Sequence, residues 1–205
     1  VKKPLWRVPR IWEGEVAFII CGGPSVLQED LSSLRGRRVI AINASFQAFL
    51  SADFLYFHDW RFWGHYHTKL KAFTNRIVTT SRTVRNLSFN DKRVHCLEKL
   101  KPPPGLAVDI SKLAVCHTSL TGAINLAWHL GAAKIVLLGA DLKGDDHHHP
   151  PHPWKVSQNC YPLMLSDLRL MMEELNRRNF PIVNTSMDSA CDFIPKVNLG
   201  EACAI

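Results

Sequence analysis

Short runs of β-branched and apolar residues recur along the chain, separated by segments whose apolar positions follow helical spacing. That alternation predicts a parallel sheet wrapped by helices. Strands are expected at residues 16–21, 38–42, 54–58, 76–80, 94–97, 134–138 and 181–184. Two helices are especially clear. In 119–130, Leu120, Ala123, Ile124, Ala127 and Trp128 repeat at i, i+3, i+4, i+7 and i+8, with Thr118 or Ser119 as N-cap and Gly131 just past the end. The second, from about 163 to 178, carries Leu168, Met171, Met172 and Leu175 on one side, and Arg177 and Arg178 suit its C-terminal dipole. The expected fold is α/β: a Rossmann-like, mainly parallel sheet of about seven strands with helices on both faces.

Two stretches break the pattern. Between Leu97 and Cys116 runs Pro102-Pro103-Pro104-Gly105, which continues neither a helix nor a central strand, so the region around 98–116 is expected to be a loop or lid. The stretch 139–160 is rich in Asp, His and Pro and longer than a plain connection needs, and long loops at strand ends are where chemistry tends to sit. At 205 residues the whole chain, 1–205, fits one domain carrying these two irregular regions.

Composition narrows the class. Hydrophobic residues at 46% and charged residues at 21% exclude a disordered chain. The apolar runs 16–21 and 135–138 fall far short of the roughly 20 residues a bilayer span requires, so no membrane span is expected. The basic start is followed by no apolar segment or small-residue cleavage site, which makes a cytoplasmic location the expectation. Six cysteines (Cys21, Cys96, Cys116, Cys160, Cys191 and Cys203) are spread without a C-x-x-C pair and read as reduced, structural thiols. The formal charge of +7 and pI near 9.2 suit an anionic partner such as a nucleotide, nucleic acid or acidic sugar, or simply a basic soluble surface.

Five constellations carry candidate chemistry. Cys21-Gly22-Gly23-Pro24-Ser25 follows a strand and precedes a segment with Leu27, Leu31 and Leu34 at helical spacing. Glycines admit a phosphate, Ser25 can cap the helix, and free N–H groups at the helix start attract an anion. A tight structural turn is the alternative reading. Asn43 ends the next strand, where an amide can read a ribose or base, or can form a turn. Asp59, Trp60 and Arg61, within Phe57-His58-Asp59-Trp60-Arg61-Phe62-Trp63, offer rings to stack and charges to fix a substrate, or cap the core. Cys116-His117-Thr118-Ser119 opens the clearest helix as an anion site or a plain N-cap. Gly139-Ala140-Asp141 precedes Asp145, Asp146, His147, His148, His149 and His152. Those side chains can bind a divalent cation, supply a histidine general base, or form a solvated loop.

In this order the five places resemble the bacterial sialyltransferases of the single-domain Campylobacter type and the related hydroxymethylpterin diphosphokinases, with phage and prophage relatives. The matching positions are Gly23-Pro24-Ser25, Asn43, Thr118-Ser119, Leu138-Gly139-Ala140-Asp141 and His152. Their order and approximate spacing fit the family from residue 16 to about 194. Gly22 departs from the asparagine of the sialyltransferase motif, and that family's donor-binding tyrosine pair has no evident counterpart. The ending Asp188-Ser189-Ala190-Cys191-Asp192-Phe193-Ile194-Pro195 is similar to the phage relatives.

The resemblance implies a transferase fold that takes a nucleotide sugar, CMP- or UDP-linked, and requires no metal cofactor. His152 is then the base that activates the acceptor hydroxyl, and His148 lies where that family also has a histidine. The nucleotide would be held by Gly22, Gly23, Pro24, Ser25, Asn43, Thr118, Ser119 and Asp141, and the substrate by Asp59, Trp60 and Arg61. In the pterin branch the expectation is instead magnesium-dependent phosphoryl transfer, with Asp141, Asp145 and Asp146 holding the ion. A third reading is a non-catalytic module that binds nucleotide or DNA through its basic surface. DNA as acceptor fits the charge; these motifs carry no signal for oligomeric state.

Overall fold

The computed structural model describes residues 3–100, 105–144, 146–154 and 160–204. Seven strands form one sheet: β1 (Val16–Ile20), β2 (Arg38–Ile42), β3 (Phe54–Phe57), β4 (Arg76–Thr79), β5 (Val94–Cys96), β8 (Lys134–Leu138) and β9 (Ile182–Asn184). Their order is β5-β4-β3-β2-β1-β8-β9, with every neighbouring pair parallel. Each expected strand is present and ends within one residue of its expected position. The reason is burial on both faces, which leaves near-continuous apolar runs that read clearly in sequence. Ala17 and Ile19 of β1 enter one core with Ile135 and Leu137 of β8, while Phe18 and Ile20 enter the other with Val136 and Leu138.

The first core is closed by helices α3 (Ser119–Leu130) and α4 (Tyr161–Asn176), through Leu120, Ile124, Leu168 and Met171. The other face is covered by α1 (Trp60–Tyr66), α2 (Arg82–Leu87) and α5 (Leu199–Cys203), through Phe62, Val84 and Leu199. The bounds of α3 agree with the sequence reading. Thr118 caps it, its hydroxyl oxygen accepting the Leu120 N–H at 3.1 Å, and Gly131 ends it at φ 94°, a left-handed geometry that glycine adopts without strain. The helix lies close on the sheet because Gly122 has no Cβ: one built there would overlap the Tyr56 hydroxyl and ring.

Two expectations are corrected. The segment after the first turn, expected to be one helix through Leu27, Leu31 and Leu34, is a pair of short 3₁₀ turns, Pro24–Gln28 and Leu31–Leu34. Ser25 caps neither: Gly23 precedes the first turn and Asp30 caps the second. The region around 98–116, expected to be a loop or lid, is largely irregular in its described residues but is anchored to the body. It holds a two-residue parallel pair, β6 (Glu98–Lys99) with β7 (Lys112–Leu113), and buries Ala107, Leu113, Ala114 and Val115. Buried Asn125 of α3 anchors it, its side-chain oxygen accepting the N–H groups of Ala107 and Ala114 at 2.9 Å each and its amide donating to the Ala107 carbonyl. Residues 101–104, which include the three prolines, lie outside the described residues.

Strand order reverses at β1, since β2 lies on one side and β8 on the other. The loops leaving β1 and β8 therefore flank the switch point of the sheet, where open α/β folds hold ligands. Among the described residues no helix is long and apolar enough to cross a membrane.

Candidate functional site

A cleft of about 460 Å³ opens at the carboxyl edge of the sheet. It is lined by residues following β1 (Gly22, Gly23), β2 (Asn43), β3 (His58, Asp59, Arg61) and β8 (Asp141), by the start of α3 (Thr118, Ser119), and by His147, His149, His152 and Trp154. The structure thus brings most of the sequence-nominated residues to one cavity. Pro24, Ser25, Trp60 and His148 do not line it.

The reason for each exception is local. At the Gly22-Gly23 turn the loops from β1 and β8 lock together. The Gly23 N–H donates to the Gly139 carbonyl at 2.9 Å, and the Ser25 N–H and hydroxyl donate to the Asp141 carboxylate at 3.0 and 2.6 Å. Ser186 adds its hydroxyl to Ser25 Oγ at 2.7 Å. The expected phosphate cradle at Gly23–Ser25 is therefore corrected: the amides of Gly23 and Ser25 are already spent within the protein, and Pro24 has none. A carboxylate at that spot also repels an anion. His148 is likewise occupied. Its Nε2–H points to the Cys21 carbonyl at 3.1 Å with Ser45 Oγ at 3.0 Å, and its backbone N–H donates to the Gly22 carbonyl. It pins the His-rich loop to the end of β1 and does not reach into the cleft, which corrects its expected catalytic role. The Trp60 side chain faces solvent, 56% exposed.

Asp59 and Arg61 face the cleft but are engaged with each other. Asp59 caps α1, accepting the Arg61 N–H at 2.9 Å, and pairs with the Arg61 guanidinium. That guanidinium lies over the Trp154 ring at 5.4 Å, and Trp154 stacks on His152 with ring centres 4.6 Å apart and planes 6° apart. The aromatic stretch after β3 and the His-rich loop thereby form one wall. Asn43, half-buried at φ 50°, adopts the left-handed turn conformation and still lines the cleft, so the two readings of it are compatible.

Electrostatics favour neutral imidazoles here. Burial, and then the charges of His149 and His147, push His152 down to about 4. Burial, followed by the Lys99 charge, takes His58 to about 4 as well, and its Nδ1 lies 2.9 Å from Ser119 Oγ. His152 Nδ1 lies 3.3 Å from the Tyr66 hydroxyl. Burial and the Asp141 charge push the Cys21 thiol well up, so it stays protonated and packs as an apolar group; all six cysteines are free thiols.

The sign of the resulting pH dependence is definite. Between the ordinary imidazole value of about 6.5 and the folded value near 4, the unfolded chain binds protons that folded His58 and His152 refuse. Stability should therefore fall as pH drops through that window. Thermal melts from pH 7 to 4 are expected to show a progressive loss of melting temperature, and a flat profile would contradict the assigned neutral state.

Sequence reasoning quoted His58 and His117 within motifs without assigning them roles, read Cys160 only as a structural thiol, and did not single out Asp167, Trp154 or Tyr161. Asp167 had one available signal, a carboxylate four residues before Met171 inside the apolar stripe of a predicted helix. Its partner is fifty positions away: the Asp167 carboxylate accepts the His117 backbone N–H at 2.8 Å and the ring Nδ1–H at 3.1 Å. Of the expected magnesium set, Asp141 and Asp146 line the cleft, with Asp141 engaged by Ser25, and Asp145 lies outside the described residues.

Among solved structures the chain is similar to the sialyltransferase CstII from Campylobacter jejuni, determined in complex with a substrate analogue, cytidine-5'-monophosphate. The superposition has a TM-score of 0.56 and covers 90% of this chain and 85% of that one, at 13% sequence identity. The fold is glycosyltransferase-like. At that identity the likeness concerns the fold alone. No protein-family model and no curated protein sequence matches the chain.

Proposed function

We propose that residues 1–205 act as one nucleotide-binding transferase domain that moves a sugar from a nucleotide-linked donor, CMP- or UDP-linked, to an acceptor hydroxyl. The observation that carries this reading is the convergence of Asn43, Thr118, Ser119 and His152 on one strand-end cleft in a glycosyltransferase-like fold. The nucleotide phosphate sits at the start of α3, a twelve-residue helix whose first-turn N–H groups and dipole attract an anion. The Gly22-Gly23 turn, braced by Asp141, shapes the cleft floor, and the Asn43 amide reads the ribose or base.

His152 serves as general base. When its Nδ1–H donates to the Tyr66 oxygen, Nε2 carries the lone pair that acts as base. The acceptor O–H gives its proton to Nε2, the acceptor oxygen bonds to the anomeric carbon, and the bond from that carbon to the phosphate oxygen breaks, releasing the nucleotide. Trp154 and Arg61 hold the imidazole plane through the stacked wall.

A panel of cytidine, uridine and adenosine nucleotides, with and without magnesium, tests the reading by thermal protection. One base class is expected to stand out. At about 100 times its Kd it should add about 2.7 kcal/mol, which for a chain of this size is on the order of 5–10 °C. Equal and small responses to every nucleotide, or salt-sensitive DNA binding without nucleotide dependence, would contradict the proposal.

A further inference from the structure

Behind the start of α3 lies a group of side chains that the transferase reading does not use. Cys116, His117 and Asp167 bring one thiol, one imidazole nitrogen and one carboxylate oxygen within 4.8 Å of one another. Two come from the loop entering α3 and the third from the buried face of α4, and the hydrogen bond from the His117 N–H to the Asp167 carboxylate ties that loop to α4. His117 Nδ1 and Asp167 Oδ2 are already 3.1 Å apart. Ligand atoms around a tetrahedral zinc ion lie roughly 3.3–3.6 Å apart, given its bond lengths to nitrogen, oxygen and sulfur. The His117–Asp167 pair already stands near that spacing, and a Cys116 thiol within 4.8 Å of both can close on an ion by side-chain adjustment.

We infer that Cys116, His117 and Asp167 form a three-ligand site for a thiophilic divalent cation of the zinc class, with its fourth position open to the cleft. The donor set decides the class. A thiolate and an imidazole with one carboxylate suit zinc or cobalt, whereas magnesium demands oxygen ligands in octahedral array. Charge also balances, since thiolate and carboxylate together neutralise a divalent ion. On binding, the Cys116 thiol proton leaves to solvent, and where Nδ1 is the ligand atom its proton moves to Nε2. Of the three, His117 lines the cleft beside Cys160 and Met164, whereas Cys116 and Asp167 line a small neighbouring cavity, so the open position is assigned to the side of His117.

An ion there has a use. The described cations lining the cleft, Arg61 and Lys143, are ion-paired with Asp59 and Asp188. A cation with an open position supplies positive charge that these pairs have already neutralised, and a phosphate oxygen can complete its coordination. That second consequence rests on the proposed nucleotide reading; the metal site does not.

The test uses chelator-treated protein titrated with cobalt(II), followed by zinc competition. One ion per chain is expected, with a thiolate-to-cobalt charge-transfer band and the visible bands of four-coordinate cobalt. Cys116→Ser, close to isosteric at a half-buried position, should abolish the charge-transfer band. Asp167→Asn should weaken binding by roughly 10- to 100-fold or more, since even outer-shell partners carry that much. His117→Ala, at an exposed side chain, provides a variant that keeps the packing if Asp167→Asn does not fold. Absence of stoichiometric binding in the folded protein, or a band that survives Cys116→Ser, would overturn the site and leave Asp167 as a hydrogen-bonded brace for His117. Cytidine monophosphate added to the cobalt form should perturb the visible bands. Unchanged bands with nucleotide bound would remove the phosphate as fourth ligand while the metal site stands.

Discussion

Replacing His152 by alanine is expected to lower turnover of the donor nucleotide sugar by roughly 10²- to 10⁴-fold, the range for loss of a positioned general base, while leaving nucleotide Kd unchanged. The separation follows from the assignment: His152 stacks on Trp154 in the His-rich loop, whereas the phosphate is assigned to the start of α3. The free-enzyme pH profile supplies a second signature. With His152 at about 4, the acid limb of kcat/KM should lie well below the ordinary imidazole range, because the neutral ring persists until then. Tyr66→Phe should lower the rate less than His152→Ala, because it removes only the partner that orients Nδ1. Full turnover in His152→Ala would remove the assigned base, and loss of nucleotide affinity together with turnover would move His152 from proton transfer to binding.

The second large effect is expected at Gly23. Its backbone, at φ −66° and ψ 151°, is open to any residue, so the demand for glycine is one of contact. A Cβ there would overlap both the Gly139 carbonyl and the Asp141 carboxylate. Gly23→Val must push apart the loops from β1 and β8 and disturb the Ser25–Asp141 bonds, at a cost of roughly 1–3 kcal/mol or more. For a chain of this length each kcal/mol lowers the melting temperature by about 2–4 °C. Gly64→Ala is the matched control: nothing lies within 4 Å of its added Cβ in α1, and an alanine in a helix interior is favoured over glycine by up to about 1 kcal/mol. Equal stability for the two variants would show that the switch-point loops are not locked as described.

The comparison of those two glycines also shows what was legible in advance. The seven strands and α3 could be read because burial on both faces, cap chemistry and a 3.6-residue period all leave local marks. The Gly-Gly turn was correctly placed after β1, but its partner was misjudged. Nothing near Ser25 in sequence announces that Asp141, 116 positions away, takes its N–H and hydroxyl. Asp167 and His117 escaped for the same reason, a pairing across fifty positions that only the packing of α4 beside α3 creates. The two-residue strands β6 and β7 are too short to leave a period, and the 3₁₀ turns after β1 mimic helical spacing through Leu31 and Leu34. Among four histidines of one loop, order along the chain could not separate His148, pinned to the Cys21 carbonyl, from His152, which faces the cleft.

The most direct measurement is a crystal structure with the nucleotide that gives the greatest thermal protection. The phosphate should lie within hydrogen-bonding reach of the first-turn N–H groups of α3 beside Ser119, the base or ribose against Asn43, and the donor sugar's side of the cleft toward His152. A nucleotide found at any other surface, or seated in this cleft with its phosphate away from α3, would contradict the account.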